Sequence, residues 1–447
     1  MKKPHWNGSL ELIESSNYKH QWGEAMLNQA VLPFKVKSTS EHLTAHAGLA
    51  VFGEFCAAMK VSEQINRYLP APSSAKGFKP SVYVQALILM LHGGGRSLED
   101  LRTLTHDDGL QPLLNMKIPS SDATGNWLRR MGSNSGLEDL QTVTNKQLKW
   151  AMKREAENEY TLDIDATEIV AAKRSAKFTY KHEKGYMPML GHLAENGLII
   201  HEEFREGNAA PASRNREFIQ DCKANMPKGK RIARLRADSA TYQAEVINDC
   251  EKDHVTFAIA AKKDPAVKAA IAAIPESEWR TYSDGQIAST VHCMEGTTKS
   301  FTLVVFRKGR QLSMNKEEPE WFYHAVATNK TDPAEDVMDW YRMRGEHSEN
   351  RIKELKIGFG MERMPCGQFA ANAVFFRIGA MAYNLFVMFK THLLPDAWRK
   401  YQVQTIRWRL YQIPARITRH ARSLWMNISK AYIGLFRDIR LRCYQCV

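Results

Sequence analysis

A chain of 447 residues is longer than one hydrophobic core usually serves, so two or three structural units are expected. Hydrophobic residues at 44% and charged residues at 25% exclude a disordered or integral-membrane class. Against 49 Asp and Glu stand 62 Lys and Arg, a net +13 that points to a polyanionic partner, nucleic acid first.

The N-terminus, MKKPHWNGSLELIESS, has a basic start but no apolar stretch behind it, so a secretory signal is not expected. Residues 41–155 carry apolar residues three and four apart, in LTAHAGLAVFGEFCAAMKV, VYVQALILML and LEDLQTVTNKQLKWAMK, which predicts consecutive helices. Breaks fall at 69–80, at Gly93-Gly94-Gly95 and at Pro119-Ser120-Ser121, the last a capped start for DATGNWLRRMG. Residues 1–155 are therefore expected to be an all-helical, DNA-binding region.

From Tyr160 the pattern changes to short strands. TLDIDATEIV reads as the first, and GYMPMLGHL and GLIIHEEF flank Asn196-Gly197, a strong hairpin signal. A helix in SRNREFIQDCKANM, a strand in RIARLRAD, a helix in YQAEVINDCEK and a strand in VTFAIAAKK complete the run. That order resembles the ribonuclease H fold, in which carboxylates on the first and fourth strands share a metal site. The expected class is α+β, a ribonuclease H-like catalytic core with an inserted mainly β segment, preceded by the all-helical domain.

The units expected are 158–262 for the first part of the core, 263–320 for the β-rich insertion, 321–395 for the second part and 396–447 for a basic C-terminal region. The helix closing the core is expected at HSENRIKELK. A long apolar helix over 367–394, interrupted by Arg377, Asn384 and Lys390, reads as buried rather than membrane-spanning. The last 52 residues hold 11 Lys and Arg against 2 Asp. Seven scattered cysteines imply reduced thiols, and the lone Cys443-x-x-Cys446 lacks the further ligands zinc needs. No partner membrane is expected, and the cytoplasm, in association with the nucleoid, is the expected location.

Alternation in LDIDATEI puts Asp163 and Asp165 on one strand face, an unusual placement for two carboxylates. Asp238 ends the strand RIARLRA, the position where open α/β sheets carry their sites, although it also suits a helix cap. Glu349 and Lys356 stand two turns apart in YRMRGEHSENRIKELK. Three separated acids suit a pair of Mg2+ ions, with Mn2+ as the alternative, about 3.5 to 4 Å apart. No HExxH, GxSxG or Walker loop competes for the chemistry.

YRMRGEHSENRIKELK, with MPCGQFAANAVFFRIGAMAYNLF after it, resembles the end of the catalytic domain in bacterial insertion-sequence transposases with a Tyr-Arg-Glu-Lys signature, the group 1 DDE domain. LDIDAT is similar to that family's first acidic strand, LRADS to its second and YHAVATN to the strand before its signature helix. The resemblance implies Asp165, Asp238 and Glu349 as catalytic metal ligands, and Tyr341, Arg344 and Lys356 as DNA-facing residues. It also implies cleavage and transfer of DNA strands at the element's terminal inverted repeats, by a homodimer holding two ends.

One departure is visible: the family spaces its Arg four residues before the Glu, whereas Arg344 precedes Glu349 by five. The register Arg342, Glu346, Lys353 restores that spacing but puts Asp339 at the Tyr position, so Glu346 stays open beside Glu349, as Asp163 does beside Asp165. Lys173, Arg174 and Lys177, with Lys181 and Lys184, form a basic stretch after the first strand that is expected to neutralise phosphates. The rival reading is a non-catalytic DNA-binding or regulatory protein derived from a transposase.

Overall fold

In the computed structural model, residues 37–310 and 320–446 are described, the side chains of 310, 320, 346 and 347 excepted. The reading of the extreme N-terminus lies outside them. A short strand β1 (His42–Thr44) leads into helices α1 (Ala47–Ala58), α2 (Val61–Tyr68), α3 (Pro80–Gly93), α4 (Leu101–Thr105), α5 (Leu110–Leu114), α6 (Ser121–Gly132) and α7 (Gly136–Met152). The breaks between them follow local chemistry. Pro80 opens α3 where a missing N–H costs nothing, Gly94 closes it at φ 101, and the Ser120 hydroxyl accepts from Ala123 N to cap α6.

Strand β2 (Glu159–Ala166) follows α7, and then a three-stranded sheet of β3 (Ile169–Val170), β4 (Lys177–Phe178) and β5 (Lys184–Tyr186) in the order β3-β5-β4. The basic stretch is thus folded into a small sheet. Next come β6 (Met189–Leu193), β7 (Ile199–Glu203), α8 (Asn215–Ala224), β8 (Arg231–Ala237), α9 (Ala244–Lys252) and β9 (Thr256–Ala260). The hairpin at Asn196-Gly197 is present, with Gly197 at φ 79, a conformation costly for a residue with a Cβ.

Helix α10 (Pro265–Ala272) and strands β10 (Arg280–Tyr282), β11 (Gly285–His292), β12 (Phe301–Arg310) and β13 (Glu320–Thr328) occupy the segment expected as an insertion and its exit. These strands extend the main sheet rather than forming another. Its order is β10-β11-β12-β13-β9-β8-β2-β6-β7, with β8 parallel to both β2 and β9 and β13 antiparallel to β9.

Helix α11 (Ala334–Lys353) crosses this sheet, packing on β2, β8, β9 and β11 to β13. It begins directly after Pro333, with Glu335 and Asp336 in its first turn, 13 residues (347 − 334) earlier than the expected start at HSENRIKELK. A π-helical turn (Glu354–Gly358) continues it. The apolar helix α12 (Phe369–His392) is long enough to cross a membrane, but its apolar window is wholly buried inside the protein, against α3, α6, α7 and β7.

Polar groups on α12 are satisfied there. The Asn384 amide accepts from Ile199 N and donates to Ile199 O, both at 2.8 Å, in place of a further strand beyond the β7 edge. After α12 come α13 (Val403–Ile406), β14 (Ala415–His420), β15 (Ser423–Asn427) and α14 (Lys430–Gln445). β14 pairs with β1 and α14 packs on α1, so His42–Val447 form one compact unit with a core continuous from Ala47 to Cys443. The seven cysteines are free thiols.

Candidate active site

Strand alternation places Asp163 and Asp165 on the face of β2 that α11 covers, but their surroundings differ. Asp163 is fully buried and receives two hydrogen bonds from Arg236, at 2.7 and 2.8 Å, from the cross-strand position of parallel β8. Arg236 also donates to Trp340 O of α11 at 2.7 Å. Both Asp163 oxygens are therefore engaged in a strut joining β2, β8 and α11. Asp165, two residues nearer the C-terminal end of β2, keeps 23% of its side chain exposed and faces Arg344 at 3.3 Å.

Asp238 follows β8 directly, so it and Asp165 lie at the C-terminal ends of adjacent parallel strands. One of its oxygens accepts from Ala240 N at 3.1 Å, capping the turn Ser239–Thr241, so the capping role coexists with its place at the strand end. Glu349 comes from the last turns of α11 and, with Asp165, Thr167, Lys353, Lys356 and Glu362, lines a hollow of about 360 Å³. The side chain of Glu346 lies outside the described residues.

The three carboxylates share one electrostatic neighbourhood. Burial pushes the Asp165 carboxyl up to about 6; Arg344 pulls against this, and the negative charges of Asp238 and Glu349 push the same way as burial. Arg344 is itself mostly buried, which works against its charge, but Asp165, Tyr341 and Asp238 outweigh burial and hold it above the usual arginine range. Burial likewise raises the Tyr341 phenol, with Asp238 and Asp165 adding to it. Tyr341 and Arg344 thus stand beside the two strand-end acids.

Among the described residues no three His, Cys, Asp or Glu side chains close around one point as metal ligands, and Arg344 stands 3.3 Å from Asp165. The donor set nevertheless suits a hard divalent cation. It consists of carboxylate oxygens from three separate elements, whose mutual repulsion a cation would relieve.

Arg344 lies within α11 and donates to Ile164 O at 3.0 Å, so the five-residue spacing to Glu349 brings two sides of one helix to the same strand end. Lys356 sits in the π turn and donates to Glu168 O at 2.6 Å, tying the base of the small sheet to the end of α11. Burial lowers the Lys356 ammonium against the opposing pull of Glu362 and Glu168. Lys173 lines a neighbouring cleft, Arg174 is exposed, and Lys177 is paired with Glu206 at 2.5 Å. Arg236 and Glu168 were not singled out by the sequence; the only hint of Arg236 was its place on the Asp238 face of β8.

A family model described as the transposase DDE domain group 1 matches residues 30–440. No curated protein matches the chain significantly. Among solved structures, the chain is similar to a piggyBac transposase in a synaptic complex with hairpin DNA, at 10% identity and a TM-score of 0.46, over 83% of this chain and 82% of that one.

Proposed function

The chain belongs to the group 1 DDE-domain transposases, and on that premise we propose that it binds the terminal inverted repeats of its own element and cleaves and transfers DNA strands there, with Asp165, Asp238 and Glu349 as the metal-holding catalytic residues. The observation that carries this reading is their placement: two acids at the ends of adjacent parallel strands, and a third on α11 whose charge acts on Asp165. A ribonuclease H-like core is supported by the sheet order β7-β6-β2-β8-β9, in which the antiparallel hairpin flanks a parallel trio.

Bound Mg2+, or Mn2+, would activate a water or a 3′-hydroxyl and stabilise the leaving oxygen. Asp165 and Asp238 present oxygens from a rigid sheet edge, and the strut Asp163–Arg236–Trp340 fixes α11, and with it Glu349, against that edge. Arg344 partners Asp165 from the same helix, beside Tyr341. Lys356 and the small sheet lie where a phosphate backbone passing the hollow meets positive charge. Two copies holding two ends, with the N-terminal helices reading the repeats, complete the proposed assembly.

The test is substitution at constant shape. D165N, D238N and E349Q are each expected to lose Mg2+-dependent cleavage of DNA bearing the element's ends by at least about 100-fold while still binding that DNA, because the lost group acts on the reaction rather than on affinity. Robust cleavage by D238N sinks the assignment.

A further inference from the structure

Glu362 forms part of the wall of the hollow beside Asp165. That residue also borders a second cleft of about 510 Å³, between β3, the start of α6 and the segment after the π turn. The second cleft in turn shares Arg96, Ser97 and Arg363 with a third hollow of about 400 Å³ at the C-terminal end of α3. Three hollows therefore lie side by side, the first of them lined by Asp165 and Glu349.

Four cationic side chains reach the middle cleft from distant parts of the chain: Arg96 after α3, Arg129 on α6, Lys173 between β3 and β4, and Arg363 after the π turn. Of its acids, Glu99 is paired with Arg102 at 2.9 Å and accepts from Ser121, and Glu362 faces Arg96 at 3.7 Å. Asp122 is exposed in the first turn of α6. Arg129 and Lys173 make no ion pair among the described residues, and Arg363 makes none within 4 Å, although its charge acts on Asp100 in the neighbouring hollow. Unpaired like charges gathered in a concave site repel one another, and a polyanion relieves that cost.

We propose that the phosphodiester backbone of a DNA strand leaving the carboxylate site crosses the Glu362 rim and lies in this cleft, where Arg129, Lys173 and Arg363 each neutralise a phosphate. The proposal rests on the transposase reading and deepens it, giving one strand a path away from the site. Backbone contacts of this kind fix register without reading bases, so the cleft holds the strand whatever its sequence.

The test is the salt dependence of DNA binding by the full chain, followed by fluorescence anisotropy on a duplex with a single-stranded extension. At ~0.9 per phosphate contact on duplex and ~0.7 on a single strand, losing three contacts lowers the slope of log K against log salt by about 2 to 3. R129A/K173A/R363A is expected to show that fall. K153A/K228A/K252A removes three exposed lysines that lie ahead of β2, β8 and β9, at the opposite sheet edge, and should keep the wild-type slope.

R129K/R363K should keep the slope too, since it retains the charge. If the triple alanine variant does not fold, R363A alone replaces it, with an expected fall of about 0.7 to 0.9. An unchanged slope in a folded cleft variant, or equal falls in both triple variants, overturns the path while wild-type cleavage leaves the transposase reading standing. A wild-type chain that neither binds nor cuts DNA overturns both.

Discussion

Replacing Asp165 by Asn should stabilise the metal-free protein at neutral pH, the reverse of what removing an ion-paired residue usually does. The Asp165 carboxyl is raised from the ordinary aspartate value of 3.8 to about 6, even with Arg344 beside it. The folded state therefore binds this proton more tightly than the unfolded state does. Stability falls as pH rises between about 4 and 6, and the deficit is complete above 6. Two units at ~1.4 kcal/mol each set an upper bound of about 3 kcal/mol.

The Arg344 left without its partner reduces the gain, so roughly 1 to 3 kcal/mol is expected at pH 7.5 and close to none below pH 4. For about 400 described residues this moves the melting temperature by only about 1 to 3 °C, which calls for paired scans of D165N and wild type from pH 4 to 7.5 without divalent ions. Adding Mg2+ should shrink or reverse the difference, because cation binding to the native wild type adds stability that D165N cannot match. A D165N protein that is no more stable at pH 7.5, or a difference that does not vary with pH, refutes the reasoning.

The buried strut gives a second prediction. R236M should cost about 3 to 5 kcal/mol by leaving Asp163 charged without its partner, and D163L/R236M should recover much of this, both read by urea unfolding. N384A should cost about 2 to 4 kcal/mol, because the Ile199 N–H and C=O at the β7 edge lose the amide that pairs with both. K356A should raise protease sensitivity at the small sheet, since the Glu168 carbonyl loses its tether to α11.

Much of the sheet was legible because its signals are local. The alternation in LDIDATEI, the Asn196-Gly197 turn and the helices beginning at Asn215 and Ala244 each follow from a few adjacent residues, as does the apolar helix over Phe369–His392. What escaped was set by distant partners. The strands after residue 280 join the main sheet through the pairing of Val326 with Ala260, which no local pattern announces. The start of α11 follows Pro333 and the acids behind it, whereas the charged run HSENRIKELK lies at its end and in the π turn.

The site divides the same way. Alternation gives Asp163 and Asp165 the same face; the proposed choice of Asp165 rests on Arg236, brought opposite Asp163 by the parallel register of β8. Nothing in the spacing of Lys356 indicated that its ammonium would meet the Glu168 carbonyl, because that contact depends on the π turn.

Anomalous diffraction from crystals grown with Mn2+ and DNA carrying an element end tests the central claim most directly. The account predicts strong peaks bounded by the Asp165, Asp238 and Glu349 oxygens, with Arg344 drawn off Asp165. Manganese held elsewhere, with these three side chains uninvolved, would contradict it.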